Sequence, residues 1–215
     1  MRVIGLTGGI GSGKSTVLDI LRNEYAAHTL LADDIGRQAF IVGTETYSRM
    51  IDEFGIDILK PDGDIDKGKL ASILMSDDEK LAIQNSIVHP FVINKIKSEL
   101  NKFRDEESHI IRADDISENC KADNQHLLVA IESAILFEAG CDALCDEVWV
   151  VTAPDNIRIM RLMETRGYSK DRALSFISHQ MSEQEYISRA DQVIINDGSI
   201  DNLRFCLNQV LLSND

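Results

Sequence analysis

Short runs of consecutive apolar residues alternate along this chain with longer stretches in which apolar residues recur at helical spacing. Arg2-Val3-Ile4-Gly5-Leu6 is the first such run, and others lie at His28-Thr29-Leu30-Leu31, 126–132, 147–152 and 192–196. Runs that are apolar on successive positions fit strands covered on both faces, as in parallel sheets. Between them, Ser15 to Asn23 sets Val17, Leu18 and Leu21 on one helical face. Helical patterns also cover 35–54, 69–76, 79–88 and 91–103, then much of 154–190, and a closing helix over 200–212. Turn signals separate these stretches at Phe54-Gly55, at Lys60-Pro61-Asp62-Gly63-Asp64, at Ser76-Asp77-Asp78 and at His89-Pro90. The pattern predicts an α/β fold whose five-stranded parallel sheet carries helices on both faces.

Interruptions of that pattern suggest a division of labour. Residues 1–34, 125–154 and 190–215 form the expected core, and the mostly helical block 35–124 reads as a substrate-binding insertion. Within it, 104–124 is rich in Asp and Glu and poor in large apolar side chains, so a solvated or poorly ordered excursion is expected there. The arginine-studded stretch 155–189 is a candidate helical lid.

The loop after the first strand brings in chemistry. Gly8 to Ser15 read Gly-Gly-Ile-Gly-Ser-Gly-Lys-Ser, which fits G-x-x-x-x-G-K-[ST] between a strand and a helix, the context in which this phosphate-cradling P-loop works. Glycines let the backbone approach a triphosphate and direct N–H groups at it, and the helix that follows adds the positive end of its dipole. Gly8, Gly9, Ile10, Gly11, Ser12, Gly13, Lys14, Ser15 and Thr16 therefore form the expected ATP site. Lys14 is suited to the β- and γ-phosphates, and the Ser15 hydroxyl to Mg²⁺.

Charge and composition narrow the partners. A net charge of −14 over 215 residues argues against nucleic acid, which needs a broad basic face. No run approaches the roughly 18–20 apolar residues of a membrane span, and the first strand starts too early for a cleaved signal ahead of it. Cys120, Cys141, Cys145 and Cys206 show neither C-x-x-C pairing nor zinc spacing, so free thiols and a reducing cytoplasm are expected. Oligomeric state is not legible.

A P-loop names the ligand and leaves the reaction open. A guanine-nucleotide switch needs N-K-x-D, and Asn101-Lys102-Phe103-Arg104 lacks the Asp; a hydrolysis-driven motor needs a strand ending in Asp-Glu, which no run provides. A small-molecule kinase needs a carboxylate to take a proton from an attacking hydroxyl, and Asp33 or Asp34, just past the second strand, suits that role. Asp33 suits equally well the N-cap of the helix that follows. A nucleoside or nucleotide kinase on the same fold, and an ATP-gated binding protein that transfers nothing, stay open at this point.

The full set of motifs resembles the dephospho-CoA kinase family. The resemblance rests on Leu6 to Thr16, Ala32-Asp33-x-Ile35, Phe54-Gly55, Asp62-Gly63-x-Ile65-Asp66, His89-Pro90, Leu136-Phe137-Glu138, Gln180, Ala190-Asp191 and Asn196. It implies an enzyme that uses ATP and Mg²⁺ to phosphorylate the ribose 3′-hydroxyl of dephospho-coenzyme A, giving coenzyme A and ADP in the final step of coenzyme A synthesis. By the same resemblance Asp33 meets the acceptor hydroxyl, Asn196 lies beside the adenine, Asp66 and His89 belong to the CoA-binding lobe, and Arg161 is the lid arginine. His89 before Pro90 reads equally as a structural turn residue. Leu31, Ala134 and Lys67 depart from the family pattern, and Thr165-Arg166-Gly167 stands where Arg-Asp-Gly is usual, displacing an arginine by one residue.

Overall fold

The computed structural model describes residues 1–114 and 127–212. They divide into two compact units, Met1–Leu30 with Glu107–Asp215, and Leu31–Glu106. The first unit is built on five strands: β1 (Arg2–Thr7), β2 (His28–Leu31), β3 (Leu128–Glu132), β4 (Glu147–Thr152) and β5 (Gln192–Ile195). Their spatial order is β2-β3-β1-β4-β5, and β1 pairs in parallel with β3 and β4, as β4 does with β5. Val3 to Thr7 and Val148 to Val151 are all buried. Side chains alternate between faces along a strand, so burial at every position means that both faces are covered. The edge strand β5 instead leaves Val193 and Ile195 exposed.

Helix α1 (Lys14–Glu24) packs against β1 and β3, burying Val17, Leu18, Ile20 and Leu21. After β4 come α6 (Asp155–Arg166), α7 (Lys170–Ser178) and α8 (Glu183–Ser188), and α9 (Ile200–Leu212) packs against β5. Gly167, in the left-handed region at φ 64°, stops α6, and its N–H bonds the Met163 carbonyl. Ser182 and Glu185 form a capping box that starts α8. Cys141, Cys145 and Cys206 are free thiols, and burial pushes the first two up to about 11 and about 12. Cys120 lies outside the described residues.

The second unit contains α2 (Ala32–Gln38), α3 (Glu45–Phe54), α4 (Lys67–Leu74) and most of α5 (Asp78–Asp114). Tyr47, Met50, Ile58, Ile65, Leu70 and Ile87 make its core. The predicted turn at 60–64 is a hairpin-like loop closed by the Leu59–Ile65 bridge, with the Tyr47 hydroxyl donating to the Gly63 carbonyl at 2.6 Å.

Three expectations are corrected here. The pattern over 35–54 is two helices, because Thr44 starts a new one by accepting the Tyr47 N–H, with a turn ahead of it. His89-Pro90 does not punctuate the chain, since α5 runs through Pro90. An interior proline costs about 3 kcal/mol, but Ile87, Val88, Val92, Ile96 and Leu100 are buried along this stretch. At about 1.5–3 kcal/mol per large apolar side chain, that burial outweighs the penalty. The polar stretch expected to leave regular structure at 104 stays helical to Asp114, where the Glu107 carboxylate accepts the Leu127 N–H and the Met1 amino group. Residues 115–124 of that stretch lie outside the described ones. Among the described residues, no helix is long and apolar enough to cross a membrane.

Leu6 is fully buried and stands in register with Trp149, the single tryptophan. Leu6→Ala should destabilise the sheet unit by about 2–5 kcal/mol. Urea unfolding followed by Trp149 fluorescence should show a lower midpoint, and an unmoved midpoint would contradict the described packing.

Candidate active site

The central strand β1 runs into the glycine-rich loop, and its neighbours crowd that loop from behind. Gly8 takes φ 138°, and a Cβ there would fall on the Val151 carbonyl of β4. Gly13, at φ 97°, is the N-cap of α1, and a Cβ there would strike the Asn196 side-chain amide. Both positions combine a backbone that L-residues rarely adopt with contact that leaves no room for a side chain. The Gly13 carbonyl accepts the N–H groups of Thr16 and Val17 at 3.0 and 3.2 Å, starting the helix.

Around the loop, donors engage its carbonyls one after another. Lys14 Nζ donates to the Gly8 carbonyl at 2.7 Å. Arg158 Nε donates to Ile10 at 2.9 Å, and Arg161 Nη1 to Ser12 at 3.1 Å and Gly11 at 3.4 Å. Asn196 Nδ2 adds a 2.8 Å bond to the Ser12 carbonyl, while its own backbone N–H bonds Thr152. Arg161 Nη2 is tied to the Asn196 carbonyl and amide oxygens at 3.0 and 3.3 Å. There are no cis peptide bonds among the described residues. In a trans peptide the N–H points opposite to the carbonyl, so fixing the Ile10 and Ser12 carbonyls turns the Gly11 and Gly13 N–H groups the other way. The start of α1 adds the positive end of the helix dipole. The result is an anion cradle of backbone amides in which three cations are concentrated locally, within a chain of net charge −14.

The sequence-predicted ATP residues, Gly8 to Thr16 with Asn196, and the expected lid arginine Arg161 are thus brought together within one unit. Ser15 is exposed on the first turn of α1. The other candidates belong to the second unit. Asp33 is exposed in the first turn of α2, whose N-cap is Leu31, so the capping role does not hold for it. Asp34 forms an ion pair with Arg37. Asp66 caps α4, accepting the N–H groups of Gly68 at 2.9 Å and Lys69 at 3.1 Å. The Lys69 amide holds its carboxyl below the usual carboxylate range; desolvation, the next-largest influence, opposes it, and the Gly68 amide and the charges of Lys69 and Lys60 add to the lowering. His89 lies inside α5, not in a turn.

The sequence places Arg158 only among the arginines of the candidate lid and does not single it out as a site residue. It is only 8% exposed. The signal available was its place one turn after Pro154-Asp155, since Asp155 Oδ1 accepts from Arg158 Nη1 at 3.0 Å and draws the side chain back along the helix. Gln180 is a second contributor, its Oε1 accepting the Ile10 N–H at 2.7 Å.

A parallel sheet whose central strand feeds a glycine loop, a lysine and a helix N-terminus defines a P-loop nucleotide-dependent phosphotransferase fold. The dephospho-CoA kinase family model matches residues 2–119 and 110–202. The chain belongs to the dephospho-CoA kinase family. It is 39% identical over 202 residues to dephospho-CoA kinase of Carboxydothermus hydrogenoformans, covering 94% of this chain and 89% of that one. A crystal structure from Thermus thermophilus superposes with a TM-score of 0.76 at 29% identity, covering 99% of this chain and 97% of the other. Dephospho-CoA kinase from Campylobacter jejuni shares the fold, with a TM-score of 0.67 at 21% identity and coverage of 99% and 96%.

Two outcomes follow. Gly13→Ala should weaken ATP binding at least about 10-fold, because the cap must distort and push Asn196 off Ser12; calorimetric titration measures it. For Asp66 the folded carboxyl is depressed below its ordinary 3.8, so its stabilising effect is complete above that value and lost as pH falls through the lower, folded one. The Tm advantage of the parent over Asp66→Ala should therefore be full at pH 7 and shrink below about pH 4.

Proposed function

We propose that the chain transfers the γ-phosphoryl group of ATP to the ribose 3′-hydroxyl of dephospho-coenzyme A, giving coenzyme A and ADP. The observation that carries the ATP half is the amide cradle formed by Gly8 to Thr16 with its carbonyls engaged from behind. Family membership carries the acceptor half.

In this reading the loop amides and Lys14 bind the β- and γ-phosphates and stabilise the negative charge on the transferring group. Lys14 leaves the Gly8 carbonyl to do so, exchanging a neutral acceptor for an anionic one. The Ser15 hydroxyl, exposed at the helix start, fits a ligand of Mg²⁺. Among the described residues no group of three or more His, Cys, Asp or Glu side chains could hold a metal ion. Bound there, Mg²⁺ would supply further neutralisation of phosphate charge. Asn196 lies beside the base, and Arg161, fixed by Asn196 and the loop, adds charge next to the nucleotide. Asp33 orients the acceptor hydroxyl and takes its proton. It follows the carboxyl end of β2 by two residues and, free of the capping role, has its carboxylate exposed. Asp66 and His89 serve the acceptor lobe, Asp66 through the helix start that it fixes. The 155–189 segment acts as the lid, and the free thiols suit work in the cytoplasm.

Purified protein with ATP-Mg²⁺ should phosphorylate dephospho-coenzyme A and leave nucleosides and nucleoside monophosphates untouched. Transfer to those acceptors instead would overturn the assignment. Asp33→Asn should lower kcat by a factor on the order of 10² or more with ATP affinity nearly unchanged, whereas Lys14→Ala should damage both. Steady-state kinetics beside ATP titration separate the two cases.

A further inference from the structure

Ile10 is the crest of the phosphate loop, and residues of the 155–189 segment hold it at both ends. Its N–H donates to Gln180 Oε1 at 2.7 Å, and its carbonyl accepts from Arg158 Nε at 2.9 Å. Arg158 reaches further than that single bond. Its Nη2 occupies the space beside Gly9 where a Cβ would sit, and its own backbone carbonyl lies 2.9 Å from the Cβ position of Gly11.

A guanidinium turned inward is costly unless its contacts compensate. The Arg158 side chain is 10% exposed, and its carboxylate partner Asp155 is 66% exposed. A pair so open to solvent on one side contributes little. Arg166, on the same helix, lies in solvent. What distinguishes Arg158 is the loop crest beneath it. The peptide whose carbonyl it holds is the one that carries the Gly11 N–H.

We propose that Arg158 is a positioning residue for the phosphoryl donor: with Gln180 it clamps the Ile10 crest, which keeps the Gly11 N–H aimed at the triphosphate. It acts through the loop and not by touching the reacting atoms. The clamp also links the lid segment to the cradle, since one arm begins α6 and the other follows α7. The inference rests on the ATP-using reading above, but its readout is ATP binding, which needs no acceptor.

The test uses the full chain with Arg158→Met, Gln180→Ala and the double variant, each checked for folding by circular dichroism. ATP-Mg²⁺ affinity is measured by calorimetry, and KM for each substrate by kinetics. Loss of a hydrogen bond from a charged group should weaken ATP binding by a factor on the order of 10 to 100 in Arg158→Met, and by several-fold in Gln180→Ala. KM for dephospho-coenzyme A should stay within about 2-fold of the parent. Because both side chains restrain one crest, the double variant should be little worse than Arg158→Met alone. ATP affinity within 2-fold of the parent in both single variants would overturn the proposal, and so would losses that multiply in the double variant. If Arg158→Met does not fold, the half-exposed Gln180→Ala decides by the same criterion. Failure of the unmodified chain to act on dephospho-coenzyme A would strike the functional reading alone.

Discussion

The structure of the glycine-rich loop depends on what happens to four backbone carbonyls. A loop that binds phosphate must turn its N–H groups toward the anion, and each N–H is rigidly opposed to a carbonyl in the same peptide. Carbonyls left without partners would draw the loop round or present oxygen to phosphate. Here Gly8, Ile10, Gly11 and Ser12 have theirs engaged by Lys14, Arg158, Arg161 and Asn196. These side chains come from the helix after the loop, from α6 after β4 and from the residue after β5. The parallel order that puts β1 between β3 and β4, with β5 beyond, is what delivers them to one edge.

In the proposed function the same arrangement lets a chain with net charge −14 attract a triphosphate. Three cations lie at the loop, two of them on arginines whose hydrogen bonds fix their direction. A buried or half-buried cation is screened less than a surface one, so local charge prevails over the global field. Asp66 shows the opposite use of helix geometry, with a carboxylate stabilised by the amides at the start of α4.

Much of this was legible in the sequence, and for identifiable reasons. Strands buried on both faces leave unbroken apolar runs, so β1 and β4 could be placed from sequence, and the motif from Gly8 to Ser15 identified the loop. Pro90 misled because local propensity favours a break, whereas the apolar face from Ile87 to Leu100 decides for one continuous helix. Arg104 to Asp114 misled because a solvated helix end and an irregular loop have the same composition. Arg158 had only one faint signal, the Asp155 one turn before it. An arginine on an amphipathic helix faces solvent by default, and only the packing of Gly9 and Gly11 against it reveals that it faces inward.

The central claim is that backbone amides held by engaged carbonyls receive the triphosphate. Amide-resolved NMR during an ATP-Mg²⁺ titration tests it directly. The account predicts large shifts and slowed exchange at the N–H groups of Gly11, Gly13 and Lys14, while that of Ile10, already bonded to Gln180, moves little. If ATP bound with the Gly11 to Lys14 amides unmoved and the largest shifts elsewhere in the chain, the account would be contradicted.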